Sequence, residues 1–175
     1  MDWYDTVFEL IDLRSFSNLW FWIVLAVLWS STSHWVMGVP FDMVARARRN
    51  GGQAAQDLED LVRINTNRLL FIAEESGLWV VAIGSAFLSG VAILGFYPGY
   101  WIEFAQAVFL LTFPMTLIGL LSVRSARLIR EGEGEGEALW RRLRIHRMLT
   151  QLIGMVSIFV TALWGMYMNL TVLPF

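Results

Sequence analysis

His34 is an ionisable residue within a long apolar run, and Glu74 and Glu75 stand at the edge of another, where water is scarce. On a helix, Ser30, Ser31 and His34 share one face with Val27 and Gly38, a stripe too polar for lipid. Glu74 and Glu75 stand just before the apolar core of the next run, at a similar depth. An imidazole and a carboxylate at that depth can pair. Histidine titrates near neutral pH, so the pair is a candidate proton relay. The competing chemistry is mutual neutralisation that sets helix register. Neutralisation is the better account, because no acidic residue or histidine continues the path until Glu103 at the far surface.

His34 and His146 are the only histidines, and cysteine is absent. Disulfides and thiolate-held metals are therefore excluded within the chain. Two imidazoles on two helices could ligate a haem. His146, however, stands among Arg142, Arg144 and Arg147, where a surface role is natural. No Glu-x-x-His or His-x-x-x-His spacing supports a zinc or di-iron site. There is no P-loop, dinucleotide fingerprint or nucleophile arrangement. The sequence predicts neither a bound cofactor nor an enzyme.

The elements that must position these residues are apolar. Four runs, Asn18–Val39, Leu78–Tyr97, Ile102–Val123 and Leu149–Leu170, each have the length that an α-helix needs to cross ~30 Å of hydrocarbon. The apolar fraction is 57% and the mean hydropathy +0.56, both too high for a soluble domain of 175 residues. The expected fold is all-α: a polytopic membrane protein with four transmembrane helices in two hairpins, forming a single integral membrane domain over 1–175. Every basic residue is arginine. Arg46, Arg48, Arg49, Arg63 and Arg68 lie between runs one and two, and seven more, from Arg124 to Arg147, between runs three and four. The positive-inside rule makes segments 40–77 and 124–148 cytoplasmic and puts both termini in the periplasm of a bacterial inner membrane. The acidic N-terminal arm has no basic n-region or cleavage site, so no removable signal peptide is expected.

Residues 2–13 alternate apolar and acidic faces at helical spacing and predict an interfacial amphipathic helix on the periplasmic side. Ser15 or Ser17 can cap the first span. After Pro40, residues 41–49 predict a short surface helix stopped at Asn50-Gly51-Gly52. One long helix follows from about 53 to 96, with its first third outside the membrane. Tyr97-Pro98-Gly99-Tyr100 forms a tight turn. Pro114 should kink the third helix, which runs to about Arg130. The alternating glutamates and glycines of 131–137 form a solvated connection that can pair with the flanking arginines. The fourth helix starts near Ala138 and runs to about Leu170.

Small residues line two helices: Ser85, Ala86, Ser89 and Gly90 on the second span, and Ser157, Thr161 and Gly165 on the fourth. Such stripes allow close helix approach, within the monomer or in a homo-oligomer. Trp29 lies deeper than the other tryptophans and reads as packing. Arg46, Arg48, Arg49, Arg141, Arg142 and Arg144 are the candidate contacts for anionic lipid headgroups or an acidic protein partner. Lipid and topology account for them without nucleic acid.

Phe16-Ser17-Asn18-Leu19-Trp20, Ser33-His34-Trp35-Val36-Met37-Gly38-Val39-Pro40-Phe41-Asp42-Met43, Asp57-Leu58-Glu59-Asp60-Leu61-Val62-Arg63-Ile64-Asn65 and Phe104-Ala105-Gln106-Ala107-Val108-Phe109-Leu110-Leu111 carry a resemblance across most of the chain. The chain resembles a family of small alphaproteobacterial inner-membrane proteins whose members often bear the label "component of SufBCD complex". That resemblance implies a place near iron–sulfur cluster assembly, as a membrane anchor whose arginine-rich face recruits a soluble partner. The residues, together with that resemblance, lead to three expectations. The first is a non-catalytic accessory or scaffold subunit of a larger inner-membrane complex (respiratory, photosynthetic or cluster-assembly). The second is a homo-oligomeric ion or proton channel or transporter, and the third, consistent with the resemblance, is a membrane docking platform for a soluble iron–sulfur assembly complex. Membrane lipids and other membrane subunits are the expected partners.

Overall fold

The computed structural model describes residues 15–172. The amphipathic helix expected at 2–13 lies outside the described residues. A single 3₁₀ turn, Ser15–Ser17, leads into α1, Leu19–His34. The cap is Asn18, whose side-chain oxygen accepts from the Trp20 N–H at 3.0 Å, in place of the expected Ser15 or Ser17. Ser17 instead donates to Asn169 at 2.7 Å.

α1 is five residues shorter at its far end than the apolar run. Trp35–Val36 (β1) and Val39–Pro40 (β2) form a two-residue antiparallel ladder. Met37 and Gly38, with φ of 54° and 75°, make the turn. Positive φ at both turn positions matches the right-handed twist of the strands. The sequence explains the break: Pro40 pushes Val39 out of the helical region, and Trp35, Val36 and Val39 favour extended backbone. Val36 and Val39 are buried, and the Asn65 side-chain amide donates to the carbonyls of Met37 (3.3 Å) and Gly38 (3.2 Å).

α2, Phe41–Asn50, buries Val44 and Ala47 and ends at Gly51, where φ is 61°. α3, Gly52–Phe96, is one unbroken helix of 45 residues, about 67 Å long. Of its buried residues, Leu58, Val62, Thr66 and Leu70 recur every four positions in the first half, and Gly95 lies at the far end. No residue of its most apolar stretch is buried. After the Tyr97–Trp101 turn, α4, Glu103–Leu128, contains Pro114 and passes into a π-helical turn, Ile129–Glu133. Gly132, with φ of 143°, opens the connection to α5, Gly136–Val172.

α3, α4 and α5 are long and apolar enough to cross a membrane, and α1 is a shorter apolar helix of 16 residues. The molecule is a helical membrane protein. The core divides in two. The larger part joins the hairpin, α2, the first half of α3, the end of α4 and the start of α5 through Val39, Ala47, Leu58, Val62, Ala126 and Leu139. The smaller part, at the other end, is Phe16, Ala107 and Met168. There Gln106, fully buried, donates to the Gly95 carbonyl (2.8 Å) and accepts from the Trp164 indole (3.0 Å).

Candidate functional site

α1 packs with Leu25 and Trp29 inward. That leaves Ser30, Ser31 and His34 exposed, on the outside of the molecule instead of the bundle interior. Packing explains the reversal: Trp29 lies against Gly154, where an added Cβ would sit 2.7 Å from the indole ring. His34 stands edge-on to Trp35, with ring centroids 6.1 Å apart. The expected pairing of His34 with Glu74 or Glu75 is not made. Glu74 accepts instead from Arg130 of the π-turn at 2.7 Å, and Glu75 is exposed without an ion pair among the described residues.

The buried histidine is His146, expected at the surface and found 3% exposed. Its Nδ1 and the Ser125 hydroxyl share a hydrogen bond of 3.0 Å. Burial without a charged partner pushes its pKa down from 6.5 to about 4, so the ring is neutral at physiological pH. His146 stands three residues before the apolar run 149–170, in a cavity of about 430 Å³ where all four long elements and the hairpin meet. Thr32, Asn65, Arg68, Ser122 and Thr150 add polar atoms, and Trp35, Leu69, Ile72 and Ile118 add apolar walls. The Thr150 hydroxyl is buried without a hydrogen-bond partner. A neutral imidazole with no carboxylate on it offers hydrogen bonds to an uncharged group and no relay. Among the described residues no three His, Asp or Glu side chains cluster as metal ligands, and exposed His34 does not line the His146 cavity. Sequence reasoning missed this site, although His146 and Thr150 continue at helical spacing the stripe begun by Leu139 and Leu143, which signals an inward face.

The six candidate arginines separate. Arg142 grips Glu133 of the π-turn through two nitrogens, and Arg141 lies 3.9 Å from the same carboxylate. The Arg142 hydrogen bonds hold the Glu133 carboxyl below its usual range. Arg48 and Arg49 of α2 and Arg144 of α5 line one groove, and Arg46 is exposed apart from it.

The small-residue stripes also separate. On α5, Ser157 and Thr161 are buried, and a Cβ on Gly165 would press on Trp22 and Phe16 at 3.1–3.3 Å, so that stripe packs within the monomer. On α3, Ser85, Ala86 and Ser89 are exposed, and a Cβ on Gly90 would meet nothing within 4 Å. No family model matches the chain, and no curated protein or solved structure is significantly similar to it.

Proposed function

We propose that the protein is a non-catalytic accessory subunit of a larger complex in a bacterial inner membrane, spanning it four times with both termini in the periplasm. The arginine-rich segments support that orientation. α1 is about 24 Å long, short of the ~30 Å hydrocarbon core, and local thinning of the bilayer would complete its crossing.

The observation that carries the reading is the bare outer face of α3. Added Cβ atoms at Gly77, Gly84 and Gly90 would meet nothing within 4 Å. Thr32, Thr112, Thr116 and Ser122 each donate to the carbonyl four residues back, whereas Ser85 and Ser89 have no such bond. A hydroxyl left without a hydrogen bond in an apolar medium costs on the order of 1–3 kcal/mol. Small residues let a second backbone approach closely. A helix of another subunit seated on Ser85, Ala86, Ser89 and Gly90 would relieve both the unmade bonds and the empty surface. The resemblance noted above makes an iron–sulfur assembly complex one candidate partner.

The test is affinity purification in mild detergent, comparing the wild type with Ser85→Leu/Ser89→Leu. Other membrane proteins should accompany the wild type and be lost with the variant. Recovery of the chain with itself alone, unchanged by the variant, overturns the proposal. Self-association that the variant abolishes favours the second reading, a homo-oligomeric channel. The outward stripe of Ser30, Ser31 and His34 supports that alternative, since copies could turn it toward a shared pore.

A further inference from the structure

We infer that the groove between α2 and the start of α5 is a phosphate-binding site built from Arg48, Arg49 and Arg144. It has a volume of about 470 Å³, with Phe41, Val44 and Trp140 forming its apolar walls. No carboxylate lines it. Four other arginines are engaged, Arg63 with Asp60, Arg130 with Glu74, and Arg141 and Arg142 with Glu133, while Arg46, Arg68, Arg124 and Arg127, also without an ion pair among the described residues, do not line the groove. Arg48, Arg49 and Arg144 have no ion pair among the described residues. A further positive charge backs the wall, since the Arg147 guanidinium lies 3.8 Å over the Phe41 ring.

Like charges around one concavity repel, and an anion removes that repulsion. The planar guanidinium fork matches phosphate oxygens two at a time. The frame is rigid: Val44 and Ala47 anchor α2 in the core, so Arg48 and Arg49 project from a fixed helix. Arg144 is five residues before Leu149, about 7.5 Å along the helix from the apolar run. The polar layer of a bilayer extends roughly 5–8 Å beyond the hydrocarbon on each side, so the groove opens at the level of lipid phosphates. The ligand chemistry is a phosphate group, carried by an anionic lipid headgroup or by a soluble phosphate. The site is independent of the α3 face, and neither proposal depends on the other.

The experiment uses the full chain in uncharged, phosphate-free detergent, titrated calorimetrically with short-chain phosphatidylglycerol and, separately, with inorganic diphosphate. At least one probe should bind saturably. Arg48→Gln/Arg49→Gln/Arg144→Gln should weaken it by about fivefold per arginine, roughly a hundredfold in all. Arg46→Gln/Arg124→Gln/Arg127→Gln removes the same charge outside the groove and should change affinity less than threefold, roughly the scatter of bulk charge effects. Binding of the lipid alone assigns a headgroup site, and binding of diphosphate alone or of both assigns a phosphate site open to soluble ligands. If the triple groove variant does not fold, Arg144→Gln alone should still show the fivefold loss. Failure of both probes to saturate, or equal losses in the two triple variants, overturns the site.

Discussion

The two histidines exchange the roles that their neighbours in the sequence suggest. His34 lies in an apolar run yet faces outward, because the neighbouring Trp29 fills the space over Gly154. His146 lies among arginines yet is buried, because Leu139 and Leu143 on the same stripe enter the core. Burial makes it a pH-sensitive element of stability. Between its ordinary pKa of 6.5 and its folded value of about 4, the unfolded chain binds a proton that the folded chain does not. Stability is therefore full above pH 6.5 and falls as pH drops toward 4, by about 3 kcal/mol at most. Thermal melts in detergent from pH 7.5 to 4 should show that fall, and His146→Gln should flatten it. An unchanged slope in the variant would assign the acid sensitivity to other groups.

At the scale of elements, periodicity and punctuation were legible. α2, the unbroken α3 and the Tyr97–Trp101 turn stand where glycine, proline and the apolar spacing put them, whereas the connection expected over 131–137 narrows to 134–135, because Ile129–Glu133 forms a π-turn held by Arg142 and α5 begins at Gly136. The hairpin after His34 was not, since the run continues apolar to Val39 and hydropathy does not distinguish a helix from a buried strand. Pro40 and Gly38 were the local signal. Gly38 holds φ at 75°, and an added Cβ would come within 2.9 Å of the Asn65 amide that clamps the turn. Gly38→Ala should cost about 1–2 kcal/mol from backbone strain alone, read as a drop of several degrees in Tm. Asn65→Ala removes the clamp and the clash together. It should therefore make the further loss from Gly38→Ala smaller than in the wild type, which a double-mutant cycle measures.

For the whole molecule, the two clusters of buried apolar side chains lie at the two ends, with the contact of Trp29 on Gly154 between them. Between α4 and α5 a groove of about 370 Å³ runs past Pro114, with the Ser157 and Thr161 hydroxyls buried and unpartnered beside it. Orientation is testable at this scale because the chain has no cysteine. A membrane-impermeant maleimide should modify Tyr100→Cys in cells with a permeable outer membrane. It should reach Glu131→Cys only after the inner membrane is breached. The opposite pattern would invert the proposed topology. Composition and residue spacing alone determined that long apolar helices form, and roughly where three of them begin and end. Hydropathy and helix signals are local, each set by a few neighbouring residues. Only the tertiary structure decided which face of each helix turns inward, which carboxylate each arginine meets and which histidine is dry. Those outcomes depend on shape fitted between segments distant in the chain, as Trp29 against Gly154 and Arg130 against Glu74 demonstrate.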